Sequence, residues 1–205
     1  MTKNIKGFIL PLMETEQTTA SKKRKPKMTA FDKAVDLLSR RGYAEKELYN
    51  ALIKKNYDEQ EASETIKQLL ENRYLNDKNY AYERIRSRAL LSKWGKRRIH
   101  TELKTRGVAE HLILEGFERF EAGSDERLNE AYNWQKEATE LLQRKYGPWP
   151  TEINEAIEKA KNWEEKQEAL KLQQKHQAKR INFLLRRGFT SEQALKAFEV
   201  NKSIF

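Results

Sequence analysis

The sequence predicts an all-α protein made of three tandem three-helix units of helix-turn-helix type, the third carrying an extended helical insertion. Three observations lead there. Apolar residues recur at helical spacing, and no alternating run of Val, Ile, Thr and aromatics lies between Asn-Gly or Asp-Gly turns. Charged residues make up 35% of the 205, with 8 Gly, 4 Pro and a mean hydropathy of -0.96, which suits exposed helices around small cores. The same pattern of apolar positions and helix terminators is also written more than once.

Residues 1–28 show no sustained period and end in Ser21-Lys22-Lys23-Arg24-Lys25-Pro26-Lys27, so a disordered basic arm is expected there. Ile5 to Met13 is apolar, but Pro11 interrupts it; it is too short to span a bilayer and poor as a signal peptide. The first unit covers 29–75. Thr29 is its expected N-cap, the stripe Phe31, Ala34, Leu37, Leu38 and Arg41 its first helix, and Gly42 that helix's end. Leu48, Leu52 and Ile53 define a second helix ending at Asn56, a residue that tolerates the left-handed C′ position. Asp58 with Glu61 reads as a capping box for a third helix that turns Ala62, Ile66, Leu69 and Leu70 inward.

The second unit, 76–122, repeats the first. Phe31 maps to Tyr82, Ala34 to Ile85, Leu48 to Ile99, Leu52 to Leu103, and the terminator Asn56 to Gly107. The third unit, 123–205, repeats the last two helices. Leu103 maps to Leu184, Gly107 to Gly188 and Phe117 to Phe198, with Thr190 and Gln193 as capping box. The insertion is placed at 148–178. Glu152 to Gln177 reads as one long exposed helix, and Thr151 caps it after the break Gly147-Pro148-Trp149-Pro150.

Charge points to a partner. The formal net charge of +10 and pI near 9.6 favour a polyanion, nucleic acid before membrane. Between Arg84 and Arg106 stand nine cations (Arg84, Arg86, Arg88, Lys93, Lys96, Arg97, Arg98, Lys104 and Arg106) against the single acid Glu102. Six cations and no acid lie between Ala169 and Ser191, and Lys179, Arg180, Arg186 and Arg187 among them join the candidate nucleic-acid or filament contacts. Ala109 to Glu130 is acidic instead. Lys96, Arg97 and Arg98 replace Glu45, Lys46 and Glu47 of the first unit, which makes them the most distinctive positions. Solvation of outward helix faces is the competing explanation for all these charges.

Catalytic patterns are missing. There is no phosphate-cradling Gly-rich motif, no G-x-S-x-G, no cysteine, and no ligand spacing among His100, His111 and His176, so no enzyme activity, metal or cofactor is expected. The absence of cysteine suits a cytoplasmic location. Trp94 and Trp134 are expected to pack; Trp149, between two prolines, could pack or stack on bases.

Four stretches carry a family resemblance: L-L-S-R-R-G-Y-A-E-K-E-L (37–48), Y-L-N-D-K-N-Y-A (74–81), K-W-G-K-R-R-I-H-T-E-L-K-T-R-G-V (93–108), and R-K-Y-G (144–147) with F-L-L-R-R-G-F (183–189). In order and spacing they resemble the RecX regulatory proteins of bacteria. The resemblance implies an elongated, curved molecule that binds the RecA recombinase filament on DNA. Such a protein inhibits strand exchange, ATP hydrolysis and co-protease activity, and so modulates DNA repair, recombination and the SOS response. A monomer contacting single- and double-stranded DNA without sequence preference is expected. Two departures stand out: the 148–178 segment is long for the family, and Ala44 stands where the family's second helix has a capping Ser. The alternative is a helix-turn-helix transcriptional regulator, which needs base-reading side chains on a recognition helix; Glu110 to Phe120 is acidic or apolar instead. Salt separates a polyanion binder from a protein-only scaffold. Log K for DNA should fall steeply with log salt, and a slope near zero would dismiss the phosphate reading.

Overall fold

The computed structural model describes residues 28–123 and 131–203. The expectations for the basic arm and for residues 5–13 lie outside that range, as do the acidic positions 125, 126 and 130. Within it the chain is all-α, with ten helices. They are α1 (Ala30–Arg40), α2 (Glu45–Lys54), α3 (Glu59–Glu71), α4 (Asp77–Leu90), α5 (Lys96–Thr105), α6 (Glu110–Glu121), α7 (Trp134–Tyr146), α8 (Thr151–Lys159), α9 (Trp163–Arg187) and α10 (Ser191–Ser203). Helices α1–α3 and α4–α6 form two three-helix groups. In the third, α7 packs most closely on α10, and the C-terminal half of α9 joins them.

Local chemistry sets most helix ends. Thr29 accepts from the Asp32 amide at 3.1 Å, and Asp58 from the Glu61 amide at 2.7 Å. Glu61 does not reach back to complete a box; its carboxylate accepts from the Ala30 amide at 3.1 Å and so ties α3 to the start of α1. The Thr190–Gln193 box is complete, with bonds of 3.0 and 3.1 Å. Asn56, Gly107 and Gly188 all adopt positive φ (68°, 88° and 92°) and terminate the second helix of each group.

Three further expectations about helix ends need correction. Arg41, at φ -165°, is extended and ends α1, and Gly42 has no left-handed backbone. Thr151 is the first helical residue of α8 and gives no side-chain cap; Pro150 precedes it. The expected single helix from 152 to 177 is two, because the chain turns at Ala160 and Asn162 caps a new start by accepting from the Glu165 amide at 2.8 Å. Helix α8 folds back on α9, and α9 continues unbroken into the third group.

Apolar burial divides the molecule into two cores. One lies within the first group, around Leu48, Leu52, Ala62 and Leu69. The other is shared by the second and third, where Ile99, Leu103, Ile113 and Phe120 meet Leu142, Leu184, Phe189 and Phe198. Trp134 and Trp149 are buried in it, and Trp94 packs partly against it. Leu70 does not turn inward as its spacing suggests and is 39% exposed.

The shared core depends on a close backbone approach. The N-terminus of α5 has no side-chain cap. Instead the Gly95 amide donates to the Arg187 carbonyl at 2.8 Å, and the Arg97 amide to the Gly188 carbonyl at 3.1 Å. The free carbonyls at the end of α9 thus satisfy free amides at the start of α5, with opposite dipole ends together. A Cβ on Gly95 would stand 2.3 Å from the Gly188 carbonyl carbon and 2.4 Å from the Phe189 nitrogen. Ala44, the equivalent residue in the first group, is buried with its Cβ accommodated. Its helix α2 borrows a cap from α4: Asp77 Oδ1 accepts from the Glu45 amide at 2.8 Å, in the role of the missing Ser.

Replacing Gly95 with Ala should therefore cost well beyond the ordinary N-cap preference. About 3 kcal/mol is expected, read as a lower urea midpoint. A loss under about 1 kcal/mol would show that the joint yields.

Candidate nucleic-acid interface

The second helices of the three groups supply most of the candidate contacts. Each starts or ends on a neighbour: Gly188 sits against the Arg98 backbone, and Gly107 against the Lys46 side chain. This end-to-end row brings cations from all three groups to one open groove of about 880 Å³ across α2, α5 and the end of α9. Arg41, Lys46, Lys54, Arg98, Lys104, Arg106 and Arg186 line it against two carboxylates, Glu47 and Glu102.

Both carboxylates already have partners. Glu102 is the hub of the second group, with Arg84 at 2.5 Å, Arg88 at 2.8 Å and Arg106 at 3.1 Å. Burial opposes its ionisation, but the hydrogen bonds and charges of Arg88 and Arg84 outweigh that, and the carboxyl is held down at about 2. Glu47 receives Arg41 at 2.9 Å and Arg106 at 2.6 Å. Burial there is likewise overcome by the two guanidinium bonds, and its pKa is lowered. Two aromatics at equivalent positions complete the lining. Arg41 lies 3.6 Å over the Tyr43 ring, and Arg98 3.9 Å over Trp94, which Arg88 also approaches at 4.5 Å.

The candidate residues read from sequence separate into three sets. Arg98, Lys104, Arg106 and Arg186 line the groove, Lys104 with a loose bridge to Glu110 at 3.4 Å. Lys96 and Arg97 fall on the other flank of α5, in a groove of about 520 Å³ with His100, Phe117 and Glu121. There Lys96 pairs with Glu121, and His100 Nε2 lies 2.6 Å from Glu110. The consecutive triplet Lys96-Arg97-Arg98 is thereby split, because α5 turns about 100° per residue.

The remaining positions, Lys179 excepted, hold the fold. Arg84 and Arg88 serve Glu102, Arg86 forms a loose ion pair with Glu83 of its own helix at 3.9 Å, and Lys93 bridges to Glu137 at 3.0 Å. Arg187 donates to the Ser92 carbonyl at 2.8 Å. Lys179 is exposed with its ammonium 5.8 Å from the Tyr146 ring. Arg180 is buried, not on a basic surface; it donates to the Pro148 carbonyl at 3.3 Å and lies over Tyr146 and Trp149, each at 5.1 Å.

Lys46 and Lys54 escape a search for basic runs, since α2 carries acids and cations in near balance, and Arg41 stands just before it at the end of α1. The missed signal is the spacing of Lys46, Asn50 and Lys54, four apart and so on one helix face. Among the described residues no helix is long and apolar enough to cross a membrane.

Comparison with known proteins places this arrangement. Residues 30–69 match the family model described as RecX, first three-helix domain, and residues 76–116 the one described as RecX, second three-helix domain. The regulatory protein RecX of Vibrio vulnificus is 30% identical over 168 residues, covering 82% of this chain and 90% of that protein. That of Haemophilus ducreyi is 38% identical over 96 residues, covering 47% of this chain and 63% of its own length; for Vibrio campbellii the figures are 38%, 43% and 56%. The chain thus aligns with under two thirds of the length of these last two. The crystal structure of RecX from Lactobacillus salivarius superposes with a TM-score of 0.58 at 18% identity, covering 84% of this chain and 94% of that one, a likeness of fold.

The Glu102 hub carries its own pH dependence. Its folded-state pKa lies below the ordinary 4.5, so its stabilisation is present above that value and is lost as pH falls toward 2. Glu102→Gln should cost about 1–3 kcal/mol at neutral pH in urea unfolding, and the difference from the parent should vanish near pH 2. An unchanged midpoint at neutral pH would show that the three arginines need no counter-charge.

Proposed function

Because the chain belongs to the RecX family of regulatory proteins, we propose that it binds a RecA-type recombinase filament on DNA and lowers its strand-exchange, ATPase and co-protease activities, with no catalysis of its own. Family membership is what supports the filament target. The observation that carries the binding mode is the groove, where seven cations face two carboxylates already neutralised by arginine. Such a surface attracts phosphates whatever the base sequence. The same proposal includes action as a cytoplasmic monomer and contact with both single- and double-stranded DNA.

The third helices disfavour a site-specific repressor. Helix α3 carries Glu59, Glu61, Glu64 and Glu71, and α6 carries Glu110, Glu115, Glu118 and Glu121, so either would meet the major groove with like charge. The second helices hold the cations instead, spread over three groups, which fits a contact that tracks a backbone.

Lys54, Lys104 and Arg186 are the cleanest probes, since none joins an inter-group bond through its side chain and all three are exposed. Reversing all three to Glu should reduce the steepness of log K against log salt by about 2–3 and relieve inhibition of recombinase ATPase activity. Arg97→Glu, on the other flank of α5, should cost less. Full inhibition by the triple variant would remove the groove from the binding surface.

A further inference from the structure

We propose that the first three-helix group is a jaw, which closes on a polyanion in the groove by turning about a polar joint with the second group. The proposal rests on the groove reading above and adds how the site engages its ligand. It stands on the makeup of that joint, which differs in kind from the joint between the second and third groups.

Apolar cohesion is weak across it. The first group keeps a core of its own, and of its residues only Ala44 belongs to the core of the other two. The hydrogen bonds across the joint are Arg106 to Glu47 at 2.6 Å and the Glu45 amide to Asp77 at 2.8 Å, beside two small packing contacts, the Lys46 methylenes on Gly107 and the Tyr80 ring near Gly42. Among the described residues no backbone-to-backbone hydrogen bond spans it, whereas two fasten α5 to the end of α9. Small polar interfaces of this kind permit relative motion. Space for such motion exists on both flanks of α2. The basic groove lies on one side, and on the other is a cleft of about 610 Å³ floored by Tyr49, Ile66, Leu70 and Leu112.

Electrostatics gives the direction. On the wall from the first group Arg41, Lys46 and Lys54 outnumber Glu47; on the facing wall Arg98, Lys104 and Arg186 outnumber Glu102. Two positive walls repel, and Arg106 with Glu47 is the one ion pair that bridges them among the described residues. A chain of phosphates between the walls neutralises both and is held by both. It binds the narrower groove more tightly, so it shifts the population toward closure, and closure in turn raises affinity.

The chain has no cysteine, so Lys55→Cys and Asn182→Cys, both exposed and next to opposite walls, can be spin-labelled without background. Distances are measured by pulsed electron paramagnetic resonance on the full chain, with and without oligodeoxythymidylate, while fluorescence anisotropy reports its binding. The expected result is a broad distribution that narrows and moves to shorter distance with the oligonucleotide. Glu47→Gln, which removes the bridging pair, should move the free distribution to longer distance yet still allow closure. An unchanged or lengthened distance with oligonucleotide bound would overturn the jaw and leave the groove reading intact. A free Glu47→Gln distribution identical to the parent's would also overturn it. Failure of the oligonucleotide to bind would instead sink the groove reading, and the jaw with it.

Discussion

The meeting of Gly95 with Gly188 is the constraint on which the rest of the structure depends. Two helix ends come together with no side chain between them, and the carbonyls of one cap the amides of the other. From this contact follow the shared core of the second and third groups, the bond from Arg187 to Ser92, and the position of Arg186 at the groove. Glycine is needed on both sides for steric reasons. A Cβ on Gly188 would stand 2.5 Å from the Arg98 nitrogen, and Gly188 also holds φ at +92°.

The same template is built twice with different chemistry. Glu47 occupies in the first group the place that Arg98 holds in the second, and Arg106 the place that Arg187 holds in the third. At one joint the acid at that place pairs with a guanidinium; at the other the arginine reaches the Arg186 carbonyl at 3.2 Å. The joints also differ at the helix start, where Gly95 allows the backbone approach and its equivalent Ala44 carries a Cβ. Equivalent positions carry equivalent geometry and still differ in how firmly they hold.

Much of this was legible in the residues. Helical stripes such as Leu48 with Leu52 and Ile99 with Leu103 mark buried faces because burial follows the 3.6-residue turn. Asn56, Gly107 and Gly188 mark helix ends because few residues accept positive φ. Contacts between distant segments were not legible. Nothing local to Glu102 shows that three arginines converge on it, or that Glu61 leaves its own helix end for Ala30. Arg180 looks like any cation of a basic run until Tyr146 and Trp149 close over it. The triplet at 96–98 was misleading for a simpler reason, since neighbours in sequence diverge around a helix. Leu70 fits the stripe of α3 by spacing but lies past the edge of its core.

Helix α9 runs 25 residues without a break, and only its C-terminal half belongs to the third group's packing. The outer half acts as a ruler. Each residue added there carries the tip at Trp163, which is 73% exposed, outward by about 1.5 Å and swings it by about 100°. Tip height and tip bearing therefore cannot be changed separately. Steps of about 7 or 11 residues return the tip to within about 20° of its bearing, whereas a step of one or two would turn α8 onto a different face of α9.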